Sequence, residues 1–286
     1  MNYAELYHGD CLEKMKLLED NSVDLIIADL PYGTTDRNGK KGSRIFAWDA
    51  VIPLPELWAQ YKRVLRRNGT VVLTADQPFT SQLVMSNPEW FKYEFIWKKS
   101  RTTGFFNANY RPMKCTEDIL VFSEGGAAPA SEKSEKGNMT YNPQGLIEKR
   151  VKKKNSKKRL GKLLGQESFI GKNNKMLGNS EYEQKWTNYP TEILEFAIES
   201  DTIHPTQKPI PLMEYLVRTY SNEGETVLDN VMGSGTTGVA ALNCNRNFIG
   251  MELNETFFDL SKKRIEDLVT NQVNKEEVRM NELLLS

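Results

Sequence analysis

A glycine-rich turn between an apolar strand and a helix constrains the fold of this chain more than any other feature. Residues 226–229 predict a short buried strand, residues 236–242 predict a helix, and Gly233-Ser234-Gly235 lies between them. Glycines let the backbone approach a ligand closely, and the N-terminus of a helix offers free N–H groups to an anion. The turn therefore predicts a ligand-binding loop of an α/β fold. A tight turn without a ligand is the alternative.

Short apolar segments alternate with helical patterns on both sides of a polar middle. This alternation predicts an α/β fold with a doubly wound, mostly parallel sheet. Ligands of such sheets bind at the carboxyl ends of the strands, so the residues that follow the strands are the candidates for chemistry. Residues 67–69 predict a turn. The predicted strands are residues 24–28, 70–74, 92–97, 118–122, 226–229 and 247–253, and the predicted helices are residues 54–66, 209–220, 236–242 and 255–269.

Acidic residues lie at the ends of several predicted strands. Asp29 begins the segment Asp29-Leu30-Pro31-Tyr32, Glu252 lies near the end of residues 247–253, and Asp10 follows His8-Gly9 near the N-terminus. In isolation, residues 29–32 are more typical of a turn, and Glu252 is more typical of a surface acid. Behind the glycine-rich unit, however, Glu252 is well placed to accept hydrogen bonds from a ribose.

The composition argues against several classes of protein. The 286 residues are 39% apolar, which suits one large domain or one domain with an insertion. Three cysteines without a C-x-x-C pair and only two histidines indicate a reducing compartment and no metal site. The start of the chain lacks the pattern of a signal peptide, and no apolar run is long enough to span a bilayer. These features predict a cytoplasmic protein.

The charge is balanced over the whole chain but not along it. The sequence has 38 Lys and Arg against 38 Asp and Glu, so its total charge does not indicate a polyanionic partner. Residues 124–191 are poor in apolar side chains, and residues 149–162 carry nine Lys or Arg and no acid. One interpretation is a solvated, partly disordered insertion. The other is a surface that neutralises phosphates.

Taken together, these motifs resemble those of the DNA amino-methyltransferases, which modify the exocyclic nitrogen of adenine or cytosine. The family's Asp-Pro-Pro-Tyr motif is similar to Asp29-Leu30-Pro31-Tyr32, and its methionine-binding loop is similar to residues 229–237. His204-Pro205-Thr206-Gln207-Lys208-Pro209 is close to a family signature. The order of the motifs resembles the permuted beta subclass, and the resemblance covers residues 3–123 and 201–270. Leu30 replaces the first Pro, and Asn230-Val231 replaces Pro-Phe.

The resemblance implies a Rossmann-like, circularly permuted fold and methyl transfer from S-adenosylmethionine to adenine in duplex DNA. The catalytic residues would be Asp29, Leu30, Pro31 and Tyr32, with the Asp29 carboxylate and the Leu30 carbonyl accepting hydrogen bonds from the amine. Tyr32 would stack on the base, which is flipped out of the duplex. The residues implied for the cofactor are Asp10, Cys11, Asp29, Thr206, Lys208, Asp229, Gly233, Ser234, Gly235, Thr236, Thr237, Glu252 and Leu253. No metal is implied.

The basic middle lies where the family carries its target-recognition region. The predicted organisation is residues 1–123 for the catalytic half, 124–200 for target recognition, 201–270 for the cofactor-binding half and 271–286 for a tail. The expected partners are double-stranded DNA, a second copy of the chain and a cognate restriction enzyme, in a prokaryotic or phage setting and associated with the nucleoid. The residues predicted to bind DNA are Lys98, Lys99, Arg101, Lys149, Arg150, Lys152, Lys153, Lys154, Lys157, Lys158 and Arg159.

Several alternatives stay open at this point. Cytosine-N4 methylation is the nearest, although an acid at position 29 is more typical of the adenine enzymes. An inactive DNA-binding relative, and methylation of RNA or of protein glutamine, are further alternatives. Carbon-5 methylation of cytosine is disfavoured because its cysteine nucleophile follows a proline, whereas the cysteines here follow Asp10, Lys114 and Asn243.

Overall fold

The computed structural model describes residues 2–33, 51–128, 137–154, 181–199 and 207–285. The chain forms two compact units. The first combines Met1–Asn142 with Glu192–Ser286, and the second is Pro143–Thr191. The second unit is shorter than the predicted insertion of residues 124–200, because its flanking segments pack with the first unit.

The described residues form ten strands and six α-helices, named here in chain order. The first part of the chain gives β1 (Ala4–His8), α1 (Cys11–Met15), β2 (Val23–Ala28), α2 (Leu54–Val64), β3 (Leu65–Ala75), α3 (Phe79–Ser86), β4 (Phe91–Thr103) and β5 (Lys114–Phe122). The remainder gives β6 (Ile147–Lys154), β7 (Glu181–Thr187), β8 (Ile193–Phe196), α4 (Ile210–Tyr220), β9 (Thr226–Asp229), α5 (Thr236–Asn243), β10 (Asn247–Glu252) and α6 (Glu255–Leu285).

Eight of these strands form one sheet in the order β1-β10-β9-β2-β3-β5-β4-β8. Every neighbouring pair is parallel except the two that involve β5, which runs antiparallel to β3 and β4. The prediction of a mostly parallel α/β sheet is therefore confirmed. The parallel strands end at one edge of the sheet, which we call the carboxyl edge.

Helices cover both faces of the large sheet. All six residues of β2 are buried, and their side chains alternate between the two faces. Ile26 belongs to the core that includes α1, α2 and α3, whereas Leu25 belongs to the core that includes α4, α5 and α6. Each fully buried aliphatic side chain of this size contributes about 1.5–3 kcal/mol. Burial on both faces explains why the central strands are continuous apolar runs.

The structure differs from the sequence-based expectations at three places. The predicted turn at residues 67–69 lies inside β3, where the pairing shifts register between Val23 and Leu25. The predicted tail at residues 271–286 is not a separate element, since α6 continues to Leu285. Ile193–Phe196, inside the predicted insertion, pairs with β4 as an edge strand of the large sheet.

The chain is held in place where it leaves the first unit and where it returns. The Asn142 backbone N–H donates to the carbonyl of Thr219 at 2.7 Å, and its side-chain amide donates to the carbonyl of Ser221 at 3.1 Å. On return, the Glu192 carbonyl accepts from the Ile96 N–H at 2.8 Å. In the second unit, β6 and β7 pair as a two-stranded antiparallel sheet. Among the described residues, no helix is long and apolar enough to cross a membrane.

Candidate active site

Asp29 follows β2 directly, so its side chain lies at the carboxyl edge near the middle of the sheet. Three donors contact its carboxylate. The Tyr32 hydroxyl donates to Oδ1 at 2.8 Å, the Thr74 hydroxyl donates to the same oxygen, and the Lys208 ammonium donates to Oδ2 at 2.6 Å. Hydrogen bonds to both oxygens hold this carboxylate in one orientation.

Lys208 links Asp29 to a second carboxylate, that of Glu117. The Lys208 ammonium is 2.8 Å from Glu117 Oε1, and the ammonium of Lys99 is 2.6 Å from Glu117 Oε2. Burial opposes ionisation of Glu117, but the charges of Lys208 and Lys99 outweigh it and lower the pKa of Glu117 to about 2. Burial also disfavours the charged form of Lys208, yet Asp29 and Glu117 raise its pKa. The site thus contains two carboxylates and two ammonium groups in alternation.

Tyr32 lies inside this network. Its hydroxyl is also 3.2 Å from Glu117 Oε1, and its ring stacks on Phe79 with centroids 5.4 Å apart. Burial, together with the charges of Asp29 and Glu117, raises the pKa of Tyr32 well above its ordinary value. The hydroxyl therefore stays protonated and donates to Asp29 Oδ1.

Leu30 has a packing role that the sequence alone did not indicate. Its side chain is 2% exposed and belongs to the core beneath α1 and α2, whereas Pro31 is partly exposed. A buried side chain restricts the backbone here in place of the fixed φ of the proline that the resemblance led us to expect.

The glycine-rich turn contacts the acid at the end of β10. The Gly233 N–H donates to Glu252 Oε2 at 3.0 Å, and the Asn254 N–H donates to Oε1 at 2.8 Å. Gly235 caps α5 with a φ of 73°, and a Cβ there would lie 3.0 Å from Ser261. A residue other than glycine would therefore be strained at this position.

Asp229 and Asn230 lie buried below the glycine-rich turn. Burial raises the pKa of Asp229 to about 7, against the hydrogen bonds from Thr237 and the Val231 N–H that lower it. The Asn230 Oδ1 accepts from the Tyr61 hydroxyl at 2.6 Å, and its Nδ2 has no hydrogen-bond partner among the described residues. This hydrogen bond thus connects α2 to the turn. It explains why Asn230, a polar residue, stands where the DNA amino-methyltransferases have Pro.

Removal of the Tyr61 hydroxyl tests this connection. Tyr61→Phe leaves the buried Asn230 Oδ1 without its hydrogen-bond donor, so the free energy of unfolding should fall by about 1–3 kcal/mol. Denaturant unfolding measures the change. Tyr7→Phe is the matched control, because its hydroxyl donates to Glu5 in an exposed position. Equal stability of the two variants would contradict the argument.

The remaining residues predicted for the cofactor lie along the same edge. Asp10 caps α1 and accepts from the Leu12 N–H at 2.8 Å, and Cys11 behind it is buried, which raises the pKa of its thiol. Leu253 is exposed after Glu252. In the turn, Ser234 and Thr236 are 3.0 Å apart, oxygen to oxygen. Thr206 lies outside the described residues.

The residues predicted to bind DNA fall into two groups. Lys98 is exposed and 2.8 Å from Glu195, Lys99 is held by Glu117, and Arg101 is exposed. In the second unit Lys149, Arg150 and Lys152 are exposed on β6, which also carries Lys153 and Lys154. Lys157, Lys158 and Arg159 lie outside the described residues.

Sequence reasoning missed Glu117 and Thr74, which complete the site. Thr74 ends the predicted strand at residues 70–74, and nothing in its sequence context distinguishes it from the rest of that strand. Glu117 precedes the predicted strand at residues 118–122, so a search for acids that follow strands does not find it. Within the described residues, no group of three or more His, Cys, Asp or Glu could hold a metal ion.

Comparison with known proteins identifies the family of the chain. A family model described as DNA methylase, covering N6 and N4 enzymes, matches residues 23–263. The type II methyltransferase M.HinfI of Haemophilus influenzae is 28% identical over 92% of this chain and 68% of its own length. The DNA adenine methyltransferase YhdJ of Escherichia coli K12 is 28% identical over 91% of this chain and 82% of its own length.

A solved structure shares the fold and carries a cofactor. The M1.HpyAVI–SAM complex is 25% identical, aligns with a TM-score of 0.55 and covers 91% of this chain and 99% of its own. The chain belongs to the N6 and N4 DNA methylase family. It is a DNA amino-methyltransferase whose cofactor is S-adenosylmethionine. Assignment to the beta subclass stays a prediction.

Proposed function

We propose that this protein methylates the exocyclic amine of adenine in duplex DNA and that Asp29 accepts a hydrogen bond from that amine. The observation that carries the proposal is the Asp29 carboxylate, fixed at the carboxyl edge by three donors. The strand before it pairs directly with β9, whose end begins the glycine-rich turn. One sheet edge therefore places a fixed anion beside the loop expected to hold the cofactor.

The chemistry explains why a fixed carboxylate is useful. The lone pair of an exocyclic amine is delocalised into the ring, so the amine is a poor nucleophile. Hydrogen bonds to the Asp29 carboxylate and the Leu30 carbonyl draw the nitrogen toward tetrahedral geometry, and the carboxylate opposes the positive charge that develops there. For the amine to reach Oδ1, the Tyr32 hydroxyl gives up its bond. A ring turned outward is then available to stack on the flipped base.

The glycine-rich edge has the chemistry to hold S-adenosylmethionine, which supplies the activated methyl group when bound. The Glu252 carboxylate, set against Gly233, suits the ribose hydroxyls, and the N-terminus of α5 suits the methionine carboxylate. Asp10 and Cys11, on the adjacent strand end, suit the adenine side. Lys208 was expected at the methionine end, but in the structure its ammonium contacts Asp29 and Glu117. We therefore propose that it holds the catalytic carboxylate in place.

The β6–β7 sheet is proposed as the region that contacts DNA phosphates. Replacing Lys152, Lys153 and Lys154 with Gln should reduce the slope of log K against log salt by up to about 3, since each neutralised phosphate contributes roughly 0.9. Binding titrations over a range of salt concentrations measure this slope. Lys14→Gln, Lys16→Gln and Lys62→Gln together serve as the charge-matched control. An unchanged slope in the variant of Lys152, Lys153 and Lys154 would mean that DNA binds to another part of the protein.

Transfer of label distinguishes the remaining functions. The protein is incubated with methyl-labelled S-adenosylmethionine and DNA, and the DNA is digested to nucleosides. Label in methyldeoxyadenosine is expected, in keeping with the name of the relative YhdJ. Label only in the deoxycytidine fraction would mean that the enzyme methylates cytosine-N4 and not adenine. Cofactor binding without any labelled DNA would favour an inactive relative. A homodimer, a restriction partner and a cytoplasmic, nucleoid-associated location remain part of the proposal.

A further inference from the structure

Three aromatic side chains at the tip of the β4–β5 hairpin are almost wholly exposed. Phe105, Phe106 and Tyr110 are 76%, 98% and 90% exposed. They lie in residues 104–111, named here the aromatic tip, which begins at Gly104 in the left-handed region and contains one turn of 3-10 helix. Large side chains left in water contribute little to the fold. A cluster of them indicates contact with another molecule.

The hairpin places the aromatic tip beyond the carboxyl edge of the sheet. β3 ends at Ala75, which pairs with Asp118, whereas β4 and β5 remain paired as far as Thr103 and Lys114. Glu117 of the active site lies at the start of this extension, opposite Trp97. On β5, three residues separate Glu117 from Lys114 at the base of the tip, which corresponds to roughly 10 Å of extended strand, whereas the pairing of β4 shifts register between Lys98 and Thr103. The tip is therefore within reach of a duplex whose base enters the site.

The charges around the aromatic tip suit a polyanion. Residues 98–114 contain five Lys or Arg and no acid. Lys98, Lys99 and Lys114 form ion pairs with acids elsewhere in the first unit. Arg101 and Arg111 are exposed, and neither forms an ion pair with a residue in the described ranges. The tip thus presents exposed aromatic rings flanked by two cations. This arrangement suits the stacked bases and phosphates of DNA better than it suits an apolar protein surface.

We propose that the aromatic tip enters duplex DNA beside the target base, with Phe106 inserted into the base stack. The inference rests on the proposed function. Apolar side chains inserted between base steps unstack them, and a base leaves the stack only at a cost in free energy. The Phe106 ring replaces part of the stacking that is lost, while Arg101 and Arg111 neutralise the flanking phosphates. The tip then acts on opening of the duplex and not on methyl transfer itself.

The variant Phe106→Ala separates these two steps. The recognition sequence is first found by methylome sequencing of a host that expresses the wild type. On matched duplex, kcat/KM should fall about 5-fold to 150-fold, the range for loss of one base–aromatic stack. On a duplex with a mismatch at the target base, which is already unpaired, the loss should be much smaller.

With 2-aminopurine at the target position, only the wild type should raise the fluorescence. Tyr3→Ala, which precedes β1 at the opposite edge, is the control.

Several outcomes would overturn the proposal. An equal loss on matched and mismatched duplex, or unchanged 2-aminopurine fluorescence between wild type and variant, means that Phe106 does not open the duplex. A lower mass of the variant by light scattering, together with an equal loss, means that the tip is a contact between two copies of the chain. If the wild type labels no DNA, the proposed function fails and this inference with it. If the wild type labels DNA and Phe106→Ala does so equally well, only this inference fails.

Discussion

Replacing Asp29 with Asn is expected to lower the turnover of methyl transfer by at least about 10²–10³-fold, with binding of DNA retained. Removal of one preorganised group that faces developing charge costs about this much in other enzymes. Asn keeps an oxygen that can accept from Tyr32 and Thr74, so the local fold should persist. What it removes is the negative charge that opposes the charge on the amine. Single-turnover rates with labelled cofactor measure the change.

A matched control for this variant is Asp20→Asn. The Asp20 carboxylate is 67% exposed and pairs with Arg63 at 2.7 Å, so the same chemical change occurs at the surface. Its turnover should equal that of the wild type. Near-normal turnover of Asp29→Asn would refute the proposed mechanism, because the carboxylate would then have no part in the rate-limiting chemistry.

Replacing Lys208 with Met is expected to cost about 3–5 kcal/mol of unfolding free energy and to abolish turnover. The Lys208 ammonium is buried between two carboxylates, and removal of one partner from a buried ion pair leaves charge without compensation. The control is Lys98→Met, whose ammonium pairs with Glu195 in an exposed position. Exposed ion pairs contribute little to stability, because water screens both charges. Equal stability of the two variants would contradict a central role for Lys208.

The pH dependence of stability gives a second measurement on the same network. Because the pKa of Glu117 is lowered to about 2, its ionised carboxylate stabilises the folded state. This stabilisation is present above the ordinary pKa of Glu117 and is lost as the pH falls toward 2. The raised pKa of Lys208 means that its ammonium also stabilises the folded state. This stabilisation is present below the ordinary pKa of lysine and is lost only as the pH rises through the higher pKa of Lys208 in the folded protein. Lys208→Met should therefore lose less stability on acidification than the wild type. The double variant Lys208→Met with Glu117→Gln should recover part of the neutral-pH loss.

Much of the fold could be predicted because buried parallel strands leave a continuous apolar run. β9 has the predicted bounds, and β2 extends the predicted strand by one residue. The irregularity in β3 could not be predicted, because Arg67-Asn68-Gly69 has the composition of a turn, and in the structure the pairing with β2 passes from Leu65 directly to Thr70. The edge strand β8 is four residues long, and only its contact with β4 identifies it as a strand.

The acids that follow parallel strands were predicted, whereas Thr74 within β3 and Glu117 on the antiparallel β5 were missed. Asp29 and Glu252 are found by searching for acids after strands. Glu117 lies near the start of β5, and the reversed direction of β5 brings that residue to the same edge. The direction of a strand depends on which neighbours it pairs with across the sheet, and local sequence contains no signal for it. The inward position of Tyr32 likewise depends on Glu117 and Thr74, which lie far away along the chain.

The attachment of the second unit has a consequence for engineering. Asn142 and Glu192 are each fixed to the first unit by main-chain hydrogen bonds, so the chain leaves and re-enters at two positions set by the sheet itself. A segment grafted between them from a relative would start and finish at defined points. The residues around Asp29 would remain unaltered in sequence. Such chimaeras would test whether the second unit sets the sequence preference, as the family resemblance predicts, while one catalytic scaffold is kept.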